Sequence, residues 1–557
     1  MNHRRGLKIC SLLLFVALIF SFACAPTEEV EQPEKVVIIG AGDVPKGYNP
    51  FVEESNVFFQ TMTWIWDSLY QLGPENKAIP NLAKEVVVSP DRKTYTITIR
   101  DNAQWQDGVP LTAHDVAFTY NYIIDNEMGW YSSLCDPITE IKAIDDYTVE
   151  MTLDKAWNQD VLNYNIFSII PVLPQHIWQD ITGEEALEMV DFPLEKVIGS
   201  GPYQVVGYAR DEYVRLRATP QAKEEGVNID EYIIKAYADT TVELEDLKAG
   251  NIDAAYRLSM KLVPALEAMP EVTLMPLDPN IMYFAIFNCW DHAYEEGKQS
   301  HPHPALKDVR VKEALDWAFD EEVACEVARG KYGIVGHQYL STYYRDLSHT
   351  ELDIRGYDLD RARQILDEAG YLDTDGDGIR ETAEGLPLVF DSWVAASETG
   401  QLDVATVWPR ETEKIGIKLD VSAVDDDTLW EAMNPNGEFD ISWWGWTGDP
   451  DPHYLLCTPT CGQAVEGGWN ESGYCNPEFD RLYEESALAA THEERKQILW
   501  EMQEILYRDI PYIVYEYHGT MCVTRNDKLD PEFVKSMGSA GMSILDKVFA
   551  INADTVS

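Results

Sequence analysis

The run Glu438–Pro452, EFDISWWGWTGDPDP, carries the side chains in this chain best suited to holding a ligand. Trp443, Trp444 and Trp446 fill three of four consecutive positions. Successive side chains of a strand point to opposite faces, so the three indoles cannot share one face, and at least one must turn away from the core of its own sheet. Asp449 follows three residues after Trp446, where a strand gives way to a Pro-rich loop. A second acidic run lies upstream. Asp373, Asp375, Asp377 and Glu384 occupy positions 1, 3, 5 and 12 of the calcium-loop pattern, with Gly378 at position 6 and Ile379 placed to offer a carbonyl from position 7. Alternate carboxylates converge on a hard divalent cation because it takes 6 to 8 oxygens. Arg380 at position 8 and a strand-like Leu386–Trp393 in place of an exit helix depart from that pattern, so a structural Ca²⁺ site and a bare Asp-Gly turn both stand as readings.

Other chemistry is poorly represented. No H-E-x-x-H, G-x-S-x-G or Walker glycine loop occurs, and the paired carboxylates sit in turns. Asp449 with Asp451 is the one pair suggestive of a hydrolase. Val36–Gly42 looks like a strand entering a dinucleotide loop, but Pro45 stands where the third glycine is needed. No cofactor is therefore expected beyond the possible calcium. Cys457, Cys461 and Cys475 can supply one disulfide across a Gly-rich loop, and they lack a clear fourth ligand for zinc.

The chain has 557 residues, enough for two or more cores. Its 96 acids against 43 Lys and Arg give a formal charge of −53, which makes nucleic acid and anionic membrane poor partners. Met1–Ala23 reads as a signal peptide: Arg4, Arg5 and Lys8 precede an apolar run, Leu12–Phe20, too short to span a bilayer, which takes about 20 residues. Cys24 follows at a lipobox-like position and is the expected lipidation site, with residues 24–35 a polar tether.

The positioning elements follow in order. Asp101–Asp125 holds a turn at Gln106-Asp107-Gly108, then a helix capped by Thr112. Phe58–Tyr70 reads as an amphipathic helix, Lys93–Arg100 as a half-buried strand and Ile141–Leu153 as a hairpin about Asp145-Asp146. Strands resume at Gln204–Leu216. Gly250 ends a helix, Met282–Asn288 is a strand and Asp358–Ala369 a helix stopped by Gly370. Glu493–Arg508 is a long helix, with a strand at Pro511–Tyr517.

The order W-x-D-G-x-P-L-T-A-x-D-V-x-F-T at Trp105–Thr119 resembles the extracellular solute-binding proteins of peptide-type ABC importers. So do Gly199-Ser200-Gly201-Pro202-Tyr203, the Pro304–Leu315 run and Tyr474–Asp480; the resemblance covers Val36 to about Thr524. It implies an α/β, two-lobed periplasmic-binding-protein fold (type II, cluster C) with an extra inserted domain. Domain I would comprise 36–69, 199–280 and 520–557, domain II 70–198 and domain III 281–519. Crossing strands near Leu277–Asn288 and Tyr512–Val523 would join the lobes. The resemblance also implies a monomeric, non-enzymatic receptor that captures a peptide between its lobes and hands it to a membrane permease from a lipid-anchored position on the cell envelope. An oligosaccharide is the alternative ligand, and a secreted hydrolase the alternative class. In peptide-binding relatives the matching Trp-x-x-Asp contacts the peptide N-terminus, so Asp449 would pair with an α-ammonium beside Trp446, with Trp444 and Trp443 as further ligand contacts.

Overall fold

The computed structural model describes residues 35–528, apart from 54, 74–76, 228, 259, 277, 291–292, 295–297, 300–301 and 466. Cys24 and the signal run lie outside the described residues, as do 529–557.

Three main sheets organise the chain. Seven strands lie in the order Val272–Pro276, Met521–Arg525, Ala254–Tyr256, Val36–Ala41, Glu231–Ala236, Tyr213–Ala218, Tyr203–Ala209. Val36–Ala41 is central and parallel to both neighbours, and the remaining pairs are antiparallel. A four-stranded antiparallel sheet is built wholly from residues 83–153. In it Tyr95, Ile97, Ile99, Val149, Met151 and Leu153 alternate inward, as a one-face-buried antiparallel sheet requires. The helix Ala113–Asp125 covers that face. Asp115 starts it by accepting from the Thr112 N–H (2.8 Å) and hydroxyl (3.2 Å), and its other oxygen accepts from Gln175 N–H (3.0 Å).

The six-stranded sheet runs Ile334–Val335, Tyr512–His518, Ile281–Phe287, Ile441–Thr447, Val389–Ala395, Lys418–Val424. Both its faces are buried. Met282, Phe284 and Ile286 enter one core, and Ala285 and Phe287 the other, which is why that strand is apolar throughout rather than alternating. The chain passes between the six- and seven-stranded sheets twice in this region, after Pro276 and after His518.

Two motifs far apart in sequence lock together. Gln106 donates through its backbone to Gly199 O (2.8 Å) and through its amide to Gly201 O (3.1 Å) and Tyr203 O (2.8 Å). A Cβ on Gly199 would stand 1.7 Å from Ile65 O, so only glycine admits the approach. The signature stretch is thus scaffold.

Several boundaries differ from the sequence expectation. The helix expected over Phe58–Tyr70 is Asn56–Ile65; Trp66 leaves it in extended conformation, its indole donates to Ile198 O (3.0 Å), and Tyr70–Leu72 is a short strand. The strand expected at Leu386–Trp393 is Val389–Ala395, because Pro387 is held in a bridge to Glu381. Asp358 and Gly370 bound the helix Leu359–Ala369 as expected, with Gly370 left-handed at φ 88°.

Candidate functional site

The strand Ile441–Thr447 sorts its tryptophans by parity. Trp443 is buried among Phe319, Trp408 and Tyr515, and its indole donates to Ser392 Oγ (3.0 Å). It is a core residue, on the opposite face from Trp444 and Trp446, so the expected four-residue ligand set loses it for the reason that alternation gives. Trp444 and Trp446 meet Trp430 at ring separations of 5.3 and 6.4 Å, and Trp446 meets Trp469 at 6.0 Å. Trp469 is 55% exposed. The cluster is half-open.

The Cys461–Cys475 disulfide closes the loop that brings Trp469 and Glu471 here, while Cys457 stays free. Sequence reasoning did not single out Trp430, Trp469 or Glu471, which come from segments flanking the strand at both distances. Glu471 is fully buried, accepts from the Trp446 indole (3.1 Å), and is pushed up to about 7 by burial.

At the strand end, Gly448 N–H donates to Asn280 O (2.6 Å), and a Cβ on Gly448 would fall 2.0 Å from the Tyr344 hydroxyl. Glycine here lets the chain pass between the sheet crossing and that ring. Asp449 follows. Its charge acts on the hydroxyls of Tyr343, Tyr344 and Tyr454, and its carboxylate makes no hydrogen bond or ion pair among the described residues. Enclosure by protein pushes that carboxyl up to about 6, and the charge of Asp451 adds to the shift; its surface is nonetheless open to water, which works against it.

Asp451 has a different fate. Arg495 grips it with two bonds of 2.5 and 2.6 Å, and both side chains are buried. Burial raises the Asp451 carboxyl, but the guanidinium outweighs it and holds the group below its ordinary range. The Asp449 and Asp451 pair suggestive of a hydrolase is therefore one locked carboxylate and one free one.

The segment between the helices Pro477–Leu488 and His492–Asp509 is tied to residues 92–160. Arg92 donates to Leu488 O (3.0 Å) and Ala489 O (3.1 Å), and Asn158 to Ala487 O (2.7 Å) and Ala489 O (3.0 Å). His492 stands between Asp160 (2.9 Å) and Asp346 (3.0 Å). Beside the crossing at Ile281 and His518–Met521, Glu267 takes Lys331 (2.6 Å) and Tyr332 (2.7 Å) at a cavity of about 630 Å³.

The acidic loop brings Asp373, Asp375 and Asp377 together with Glu381, not Glu384, with ligand oxygens all within 4.8 Å of one another. The bridge between Leu372 and Glu381 closes the loop three residues early, which returns Glu381 to the cluster and leaves Glu384 outside it. Two Ca–O bonds of about 2.3 to 2.6 Å span about that distance, so the donor set fits calcium. The same carboxylates already accept backbone N–H groups: Asp373 from Gly376 and Gly378, Asp375 from Asp377, Asp377 from Ile379, and Glu381 from Thr374.

Among the described residues no helix is long and apolar enough to cross a membrane. The oligopeptide-binding protein AppA of Bacillus subtilis (strain 168) is 24% identical over 540 residues, spanning 93% of this chain and 94% of that protein. The oligopeptide-binding protein of Thermotoga maritima superposes with a TM-score of 0.78 at 21% identity, over 93% of this chain and 99% of that one. NikZ of Campylobacter jejuni, solved with Ni(L-His), superposes with a TM-score of 0.72 at 23% identity, over 89% and 95%. These neighbours share the two-lobed binding-protein fold. The model of the bacterial extracellular solute-binding proteins, family 5 Middle, matches residues 77–465, and the chain belongs to that family.

Proposed function

We propose that this protein is the substrate-binding receptor of an ABC importer, which captures a peptide between its lobes and delivers it to a membrane permease. The observation that carries the peptide reading is Asp449, a carboxylate at the end of the strand Ile441–Thr447 with no hydrogen-bond or ion-pair partner among the described residues, while Asp451, two residues on, is neutralised by Arg495. An unpaired carboxylate whose charge reaches the hydroxyls of three tyrosines suits the α-ammonium of a peptide. The relatives named for oligopeptides support the same ligand class. Lobe closure on the ligand is the signal such a receptor gives its permease. Cys24 is the proposed lipid anchor, at the outer face of the membrane or in the periplasm. Cys24→Ala should release the protein from the membrane fraction; continued membrane retention would remove Cys24 as the acceptor.

A charge-assisted hydrogen bond contributes about 1.5 to 3 kcal/mol, so Asp449→Asn weakens peptide binding on the order of ten- to a hundredfold. Acetylating the peptide amine costs the same factor, and affinity falls as pH drops through the raised Asp449 value, because the anion is the binding form. Calorimetry in which acetylated and free peptides bind alike sinks the ammonium role. An oligosaccharide is the second reading, favoured by the half-open cluster of Trp430, Trp444, Trp446 and Trp469. A neutral glycan that binds wild type and Asp449→Asn equally would install it.

A further inference from the structure

Two sets of apolar cores divide the described residues. Residues 37–275, with Cys522 and Val523, build one set around the four- and seven-stranded sheets, and residues 282–517 build the other. Among the described residues, Tyr454 alone of the second set packs against a core of the first. Two bodies joined by two strand crossings, with so little apolar surface in common, are built to move against each other, because polar contacts exchange for water at small net cost.

Their contact at the end of the helix Pro477–Leu488 is specific. A helix leaves its last carbonyls without partners of its own. This one has no basic residue in its last turn and runs into Ala489-Ala490 rather than a glycine. Its terminal carbonyls are satisfied from the other body. Ala487 O accepts from the Asn158 backbone N–H (2.7 Å), Leu488 O from Arg92 Nη2 (3.0 Å), and Ala489 O from Arg92 Nη1 (3.1 Å) and the Asn158 amide (3.0 Å). Asn158 is buried, and Asp160 just beyond it reaches across to His492 (2.9 Å). Arg92 makes no ion pair among the described residues, in a chain whose acids outnumber its bases 96 to 43. It holds φ 57° in the turn between the strands Ala83–Val88 and Thr94–Ile99, a conformation L residues rarely adopt. A second crossing pair, Glu267 with Lys331, is exposed and correspondingly weak.

We propose that Arg92 and Asn158 are a latch of lobe closure: they cap this helix only while the two bodies are together, and so bias the empty receptor toward its closed form. The inference rests on the lobe closure proposed above and is independent of the ligand's chemistry. Two charge-assisted bonds from one guanidinium shift the closed-to-open ratio on the order of ten- to a hundredfold. A latch that populates the binding-competent form raises the affinity of every ligand by one common factor, whereas a residue that touches the ligand changes its selectivity.

The test is hydrogen–deuterium exchange of the full chain, read by mass spectrometry, because the Asn158 N–H is itself a bond across the joint. In wild type it exchanges faster than the amides of Val149 and Met151, which open only with the strand Thr148–Leu153. Arg92→Gly removes the guanidinium and suits the backbone angle, so it speeds exchange at Asn158 on the order of ten- to a hundredfold while Val149, Met151 and the melting temperature stay as in wild type. Arg92→Lys restores part of the protection. An Asn158 rate that Arg92→Gly leaves unchanged overturns the latch. So does an Arg92→Gly chain that melts lower and exchanges faster throughout, which is the result of a plain helix cap in a permanent joint. Native mass spectrometry of the same samples with a mixed-sequence tripeptide library separates this inference from the peptide reading. Peptide retained by a chain whose Asn158 amide ignores Arg92→Gly sinks the latch alone; no peptide bound, with Asn158 responding, sinks the peptide reading alone.

Discussion

Replacing Arg495 by methionine removes the partner of a carboxylate that is 1% exposed. Two charge-assisted bonds of 2.5 and 2.6 Å are lost, each worth about 1.5 to 3 kcal/mol, and Asp451 stays buried beneath the strand end. Breaking one side of a buried pair typically costs about 3 to 5 kcal/mol, most of it the penalty of an uncompensated ion. Urea unfolding followed by tryptophan fluorescence reads this as a lower midpoint at pH 8. The pH dependence has a definite sign. In wild type the Asp451 carboxyl is held low, so its contribution is present above the ordinary carboxylate value and is lost as pH falls toward the depressed one. In Arg495→Met burial alone acts, the carboxyl moves up, and the deficit shrinks as the buffer is taken from pH 8 to pH 5. Arg495→Met/Asp451→Asn recovers most of the loss, because no buried charge remains. A single-variant cost under about 1 kcal/mol, or a double variant as unstable as the single, would refute this account of the pair.

Two further outcomes are expected. Glu471 has a folded value near 7 against an ordinary 4.5, so stability falls as pH rises across that window, where the unfolded state has released the proton that the native state still holds; Glu471→Gln flattens the fall by up to about 3 kcal/mol, and an unchanged stability profile between pH 5 and 8 would show that burial does not hold the group protonated. Calcium in hundredfold excess over its Kd should stabilise the fold by about 2.7 kcal/mol through Asp373, Asp375, Asp377 and Glu381, and Asp375→Ala should abolish the gain; melting unchanged by excess chelator, with no metal in elemental analysis, leaves a plain turn.

Much of the molecule was written locally. Thr112 with Asp115, Asp358 with Gly370 and the left-handed Gly250 mark helix ends because a cap acts within a few residues. The strand Thr94–Ile99 and the hairpin across Asp145 were legible from alternation. The order of motifs identified the family, and the period of two dictated that the three tryptophans could not act together. What sequence could not show is which of them lies in the closed core and which in the half-open cluster, since parity separates the faces of a strand without saying what packs on each. That took the packing of Phe319, Trp408 and Tyr515 around Trp443, and of Trp430 and Trp469 beside Trp444 and Trp446. The same holds for the carboxylates. Asp449 and Asp451 look equivalent in the chain, and only tertiary contact with Arg495, 44 residues on, neutralises one and leaves the other free. In the acidic loop a spacing rule chose Glu384, whereas the Leu372–Glu381 bridge chose Glu381, because a linear pattern presumes a backbone path and the fold supplies the actual one.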